Sequence, residues 1–365
     1  MPIKLIESSI KKYFKKDLFQ LIYHVTFKCN ARCKFCFNWK ELNQNEKKEL
    51  SLEEMNKIAR SMPNFDWLLL SGGEPSLRQD IAEIVGIFYK NNGIKHLTLP
   101  TNGLLPKRIF EIVRNLLNNY KNLTITLSFS LDSFGDAHDE LRGISGCFKK
   151  LLESYELLEP LRKNKNLNIK FNSVIGNFNY DSLENLIKRI RELKPDMHTV
   201  DFIRGDAGLS LNNLRYKDTA LPPNDKIDDL VKLIGNNYDY YKGYSNIKSH
   251  FKIMDKISYI IQKEYLSLFK KTLIKKKQII PCLAHKTSLV LYPYGDVSFC
   301  EPLKPFANFR DFGHDYKKII KSGPAKGQAG FIKDKKCVCY HPCFQYLNIL
   351  FSPKLMIKGL LKNVF

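Results

Sequence analysis

A chain of 365 residues holds one large domain with attachments, since single domains run to roughly 100–200 residues. Hydrophobic residues at 44% and charged residues at 26% exclude global disorder, collagen-like repeats and mucin-like stalks. The net charge of +22 suits an acidic partner such as nucleic acid, anionic lipid or a phosphorylated substrate, yet 47 lysines against 12 arginines is poor equipment for reading phosphates and base edges.

In chain order, the first segment is amphipathic and basic: over 3–19, Ile3, Ile6, Ile10, Tyr13 and Phe14 stand against five lysines and two acids. It has no apolar core region or small-residue cleavage site, so no secretory signal is expected, and no apolar run is long enough to span a membrane. Strands are expected at 19–27, 67–70, 96–100, 123–131, 167–174 and 198–203, and amphipathic helices near 51–61, 79–91, 106–120, 146–163 and 181–193. Ser51 with Glu54 three residues on reads as a capping box. This alternation predicts a parallel α/β sheet, an open or partial barrel. Residues 205–224 read as loop, and 249–277 as one long helix with Met254, Ile257, Ile261, Tyr265 and Leu268 on one face. Ser288–Leu291 and 297–299 flank turn residues Tyr292 to Asp296, a hairpin opening a smaller second domain. At the end of the chain, Lys354, Lys358 and Lys362 share one helical face, largely opposite Met356, Leu360 and Val364.

Nine cysteines without a secretory signal point to metal rather than disulfides. Cys29, Cys33 and Cys36 follow the first strand directly. Three thiolates so spaced can wrap one face of an iron–sulfur cube and leave one iron open, whereas a structural zinc would need a fourth ligand. The only nearby alternative is His24, awkwardly placed on the strand. Ser71-Gly72-Gly73-Glu74-Pro75 ends the second strand, where adjacent glycines let backbone approach a ligand closely.

The cysteine pattern, including Phe35 before its last member, resembles that of the radical SAM superfamily, and the further segments fall where that family has them. The resemblance covers about 20–203 and implies a partial (β/α)6 barrel with its site at the C-terminal strand ends. It implies a [4Fe-4S] cluster on Cys29, Cys33 and Cys36 whose open iron chelates S-adenosylmethionine. Reductive cleavage then gives a 5′-deoxyadenosyl radical that abstracts hydrogen from a substrate. By the same resemblance Gly72, Gly73 and Glu74 hold the SAM amino group, Thr101 and Asn102 of a TNG turn lie beside SAM, and Ser130 and Asp132 of an SLD-like segment lie near its ribose and carboxylate. Arg142, in the HDxxRG-like stretch from His138, could pair with the SAM carboxylate. His138 and Asp139 could equally brace the next helix. Cys147 stands alone and reads as packing.

Cys282, Gly295 and Cys300 resemble the CxnGx4C opening of SPASM and twitch extensions, which hold auxiliary clusters, with Cys337, Cys339 and Cys343 to complete the cage. Five cysteines rather than seven imply one auxiliary [4Fe-4S] cluster, with the spare cysteine unassigned and a zinc site as the alternative. The expected organisation is a basic N-terminal segment (1–20), a radical SAM core (21–204), a helical linker (205–281), an auxiliary cluster domain (282–343) and a basic tail (344–365). The implied partners are SAM, a flavodoxin- or ferredoxin-like electron donor, and a lipid, lipid-linked sugar or peptide substrate. The lysine-faced ends suggest a cytoplasmic protein with peripheral contact to anionic membrane. The alternative is a non-catalytic iron–sulfur or zinc protein binding nucleic acid through its basic surface.

Overall fold

The computed structural model describes residues 17–44, 47–205, 219–244, 252–334 and 337–363. The basic segment 3–16, most of the 205–224 loop, and Val364 lie outside the described residues.

Six strands alternate with helices as the sequence predicts. They are β1 (Gln20–Thr26), α1 (Leu52–Ser61), β2 (Trp67–Gly72), α2 (Ile81–Asn92), β3 (His96–Thr101), α3 (Pro106–Asn119), β4 (Thr124–Ser130), α4 (Asp136–Arg142), α5 (Cys147–Leu157), β5 (Leu167–Ile175), α6 (Leu183–Glu192) and β6 (Met197–Phe202). Neighbouring strands in this run all pair in parallel. Every residue of β1 is buried, as a strand covered on both faces must be, and Leu21, Ile22, Tyr23 and Val25 have no exposed surface. Burial of each such side chain contributes about 1.5–3 kcal/mol. Strand β5 instead alternates: Leu167, Ile169, Phe171, Ser173 and Ile175 are buried, while Lys170, Asn172 and Val174 on the other face line an internal cavity.

The sheet does not close. Its order is β6-β5-β4-β3-β2-β1-β7-β8-β9, with β7 (Ser288–Leu291), β8 (Asp296–Ser298) and β9 (Ala307–Asn308) added beside β1. The expected hairpin is therefore present, but it extends the barrel sheet, because β7 pairs in parallel with β1 from Gln20↔Ser288 to Tyr23↔Leu291. Side chains fasten this edge: Gln20 Nε2 donates to Ser288 Oγ at 2.9 Å and to the Cys343 carbonyl at 3.0 Å. The capping box of α1 is also built into this seam, since Glu54 accepts from Ser51 N and takes a two-pronged bond from Arg310 at 2.7 and 3.1 Å.

Between core and hairpin lie α7 (Ile227–Tyr244), absent from the sequence expectations, and α8 (Lys252–Lys275), which buries Ile261, Tyr265 and Leu268 as expected. Helices α9 (Tyr316–Lys321), α10 (Gly323–Lys333), α11 (Pro342–Leu350) and α12 (Pro353–Asn363) complete the chain. The expected boundary at 343/344 falls inside α11. The terminal helix α12 packs along α8: Lys358 pairs with Glu264 at 3.1 Å, and Gly359 lies against Ile260. One of the three expected surface lysines is thus spent on an internal ion pair, while Ile357 and Leu361 remain exposed.

Candidate functional site

The chain leaves β1 at Thr26 and turns at once into the loop carrying Cys29, Cys33 and Cys36, none of them in a disulfide. Asn43, in a left-handed conformation, clamps the loop start: its Oδ1 accepts from Cys29 N at 3.0 Å and its Nδ2 donates to Cys29 O at 2.9 Å. Farther on, Arg32 N and Lys34 N donate to the carbonyls of Arg142 and Leu141, both at 2.9 Å. Burial pushes the Cys29 thiol up to about 12, and the charges of Glu74, Cys33 and Cys36 add to that. A positive centre beside them, as an iron cluster would provide, is what would let these thiols ionise.

Gly72 and Gly73 fix how closely β2 meets this loop. Gly72 sits at φ +114, and a Cβ there would stand 2.2 Å from the Thr26 carbonyl oxygen. A Cβ on Gly73 would stand 2.1 Å from the Lys28 carbonyl oxygen and 3.1 Å from Cys29 Cβ. Gly73→Ala is therefore expected to displace the loop at an overpacking cost of about 1–3 kcal/mol and to deplete iron bound there. Denaturant midpoint and iron content check this, with Gly327→Ala, in open space on α10, as the control. Unchanged stability and iron content for Gly73→Ala would contradict it.

Glu74 is fully buried and accepts from Ser76 Oγ at 2.6 Å, Ser76 N at 3.1 Å, Thr101 Oγ1 at 3.0 Å and Asn102 N at 2.7 Å. Its carboxylate is thus filled by the third-strand turn rather than held out as an open acceptor. Asn102 continues the chain of contacts, donating from Nδ2 to Asn30 Oδ1 at 2.8 Å. These bonds lock three strand ends together around the cysteine loop.

Asp132 is completely buried, ion-paired with Arg142, and accepts from Val174 N at 2.8 Å. Arg142 also donates to Cys33 Sγ at 3.5 Å and lies 5.5 Å from the Phe35 ring centre. Burial alone would lower the Arg142 pKa, but Asp132 and Cys33 hold it above its ordinary value. Both expected SAM contacts are thus engaged with each other, and Arg142 reaches the cysteine loop directly. His138 Nδ1 accepts from Asp132 N at 3.3 Å, and burial drops its pKa to about 3, so it is neutral. Asp139 accepts from the amides of Gly146 and Phe148 and braces α5. Cys147 is buried beside Ala31 and Leu104, as packing requires. Phe35 stacks on Phe178 with ring centres 5.0 Å apart.

A cavity of about 300 Å³ opens at these strand ends. Cys29, Cys33, Cys36, Gly72, Gly73, Glu74, Thr101, Asn102, Ser130 and Arg142 line it, so the sequence-predicted residues do converge. Lys170, Asn172, Asp201, Arg204 and Glu301 in its wall were not foreseen, and Cys343, expected with the auxiliary cluster, lines it as well. Lys170 and Asp201 carried a signal, as charged residues inside otherwise apolar parallel strands. Burial lowers the Lys170 pKa and raises that of Asp201.

Glu301 joins both halves of the chain. It meets His24 Nε2 at 2.9 Å, His341 Nε2 at 2.9 Å and Arg204 Nη1 at 3.2 Å. Burial opposes its charge, yet Arg204, His24 and His341 hold its carboxyl well below the usual range. His24 is therefore committed to Glu301 rather than to the cysteine loop. Arg204 also stacks over Phe37 at 3.8 Å.

The five C-terminal cysteines divide. Cys282, Cys300, Cys337 and Cys339 are buried, and the charges of all six pairs act on one another. Cys343 instead neighbours Glu301, Arg204, Asp201 and Lys170. Among the described residues, no three of the four grouped thiols offer donor atoms within 4.8 Å of one another. Sulfurs around a tetrahedral zinc at about 2.3 Å would stand about 3.8 Å apart, inside that spacing.

Residues 23–190 match the family model described as the Radical SAM superfamily. That match takes in a little under half of the chain, the stretch that holds the cysteine loop and the glycine turn. Among its relatives, the probable GTP 3′,8-cyclase of Methanocaldococcus jannaschii is 27% identical over 201 residues, covering 53% of this chain and 62% of the relative. The GTP 3′,8-cyclase of Alkaliphilus oremlandii is 26% identical over 204 residues, covering 53% and 59%. The chain thus spans about six-tenths of the length of these relatives. Among solved structures, native anSMEcpe with bound AdoMet aligns with 95% of this chain and 98% of its own at a TM-score of 0.59 and 14% identity. Streptococcus suis SuiB bound to S-adenosylmethionine aligns with 89% and 71% at a TM-score of 0.55 and 18% identity. The likeness in fold therefore runs beyond the radical SAM barrel into the cysteine-rich C-terminal region.

Proposed function

We propose that this radical SAM chain holds one [4Fe-4S] cluster on Cys29, Cys33 and Cys36, with SAM in the adjoining cavity. A second cluster would lie on Cys282, Cys300, Cys337 and Cys339. When bound and reduced by a flavodoxin- or ferredoxin-like donor, the first cluster supplies the electron that splits SAM into methionine and a 5′-deoxyadenosyl radical. The residues of the chain do the rest. Gly72 and Gly73 let β2 backbone come flush with the loop; Glu74 fixes the third-strand turn; Asp132 and Arg142 hold the loop from the far side. Phe35, Phe37, Leu69 and Ile203 give the cavity an apolar wall beside its charged one.

Hydrogen abstraction from a substrate carbon is the reaction this arrangement supports. Lys170, Asp201, Arg204 and Glu301 place charges of both signs on one wall, which favours a polar, charge-bearing substrate or peptide segment over a lipid tail. The observation that carries the reading is the convergence of Cys29, Cys33, Cys36 and the glycine turn on one cavity. A non-catalytic zinc or iron–sulfur protein on nucleic acid leaves that charged cavity without a use.

Metal analysis tests the two-cluster assignment. Reconstituted protein is expected to bind about eight irons, and Cys300→Ala about four. Four irons with one zinc in the intact protein would contradict the second cluster.

A further inference from the structure

Of the C-terminal cysteines, Cys343 is the one that stands apart from the other four. It begins α11 beside Pro342, and its backbone is tied down by Gln20. The preceding Tyr340 is anchored by its hydroxyl to the Ile203 carbonyl at 2.9 Å. The thiol lines the same cavity as Cys29, Cys33 and Cys36, among Lys170, Asp201, Arg204 and Glu301. Glu301, His341 and Cys343 bring one donor atom each within 4.8 Å, the outline of a metal site. That site is already spoken for, because Glu301 is taken by His24 and His341, and the Arg204 guanidinium sits where a cation would bind. A thiol held at the start of a helix, apart from both cysteine groups, therefore faces the cavity that the cysteine loop lines.

We propose that Cys343 is the hydrogen-atom donor of this chamber, delivering the hydrogen of its S–H bond to a carbon-centred radical formed there. The inference rests on the radical SAM reading and deepens it. An S–H bond is weaker than an alkyl C–H bond, so the transfer runs downhill. Among the described residues, the other thiols lining the cavity belong to the cluster loop, and no tyrosine lines it. Burial, followed by the Glu301 charge, pushes the Cys343 thiol up to about 12, so it keeps its proton at neutral pH.

The step balances as follows. The deoxyadenosyl radical takes a hydrogen atom from substrate carbon, giving 5′-deoxyadenosine and a substrate radical. The Cys343 S–H bond breaks as a new substrate C–H bond forms, leaving a cysteine thiyl radical. One electron from the external donor and one proton from solvent restore the thiol. Each turnover thus consumes one SAM and two electrons, and the substrate neither gains nor loses hydrogen. The reaction class is an inversion or rearrangement rather than a desaturation.

SAM alone supplies a carbon radical for the test. Reconstituted protein is incubated with dithionite and SAM in deuterated water, without added substrate. The wild type is expected to yield 5′-deoxyadenosine carrying one deuterium. In Cys343→Ala and Cys343→Ser, whose O–H bond is too strong to serve, the label is expected to fall to background. Both variants are expected to keep about eight irons, the readout independent of turnover. Undiminished deuterium in the variants' product overturns the proposal, as does unlabelled product from the wild type. Loss of about four irons also overturns it, because Cys343 would then be a cluster ligand. If the wild type releases no deoxyadenosine at all, the radical SAM reading itself fails; the iron content of the variants still reports separately on Cys343.

Discussion

The triple variant C29A/C33A/C36A is expected to release no 5′-deoxyadenosine while retaining about four irons, those of the C-terminal cage. The reason is structural separation. The loop triad hangs from the end of β1 and is held by Asn43, Gly73 and the Arg142 carbonyl, whereas the grouped cysteines sit beside the β7–β8 edge and α11. Removing the first set breaks no bond of the second. The three loop thiols are half-buried, outside the packed strands of the sheet, so the fold is expected to survive the change. Deoxyadenosine release and iron content measured on one preparation give both results; SAM cleavage retained by this variant would remove the triad from the chemistry.

Asp132→Ala is expected to cost about 3–5 kcal/mol and to strip iron from the loop triad. The substitution leaves the Arg142 guanidinium, 7% exposed, without its counter-ion. The damage is directed at the site, because the carbonyls of Leu141 and Arg142 anchor Lys34 and Arg32 on either side of Cys33. Replacing both partners, as in Asp132→Leu with Arg142→Met, removes the stranded charge and is expected to recover most of the stability. Urea unfolding checks the order of the variants. A single-variant loss under about 1 kcal/mol, the value of an exposed pair, would show that the charges are solvated.

The barrel was legible because its physical signals are local. Period-2 and period-3.6 patterns, the Ser51–Glu54 box and the Gly-Gly turn each fall where the structure has them. What the sequence hid depends on contacts between distant residues. The pairing of β7 with β1 joins residues some 268 positions apart, so a hairpin that looked like the start of a separate unit became an extension of the first sheet. The spare cysteine was unassignable for the same reason: spacing alone treats Cys339 and Cys343 alike. The turn into α11 sends one to the thiol cage and the other to the cavity. Glu74, Asp132 and Arg142 were found by position, but their local roles were not. Each satisfies a buried partner that only the folded chain supplies. Lys170, Asp201 and Glu301 become site residues only once the open sheet curves around them.

Anaerobic turnover of the intact chain tests the central claim most directly. Protein reconstituted with iron and sulfide, reduced with dithionite and given SAM is expected to release 5′-deoxyadenosine and methionine in equal amounts, with no release from the metal-free protein. A brown, iron-loaded preparation that leaves SAM intact under the same reduction would contradict it.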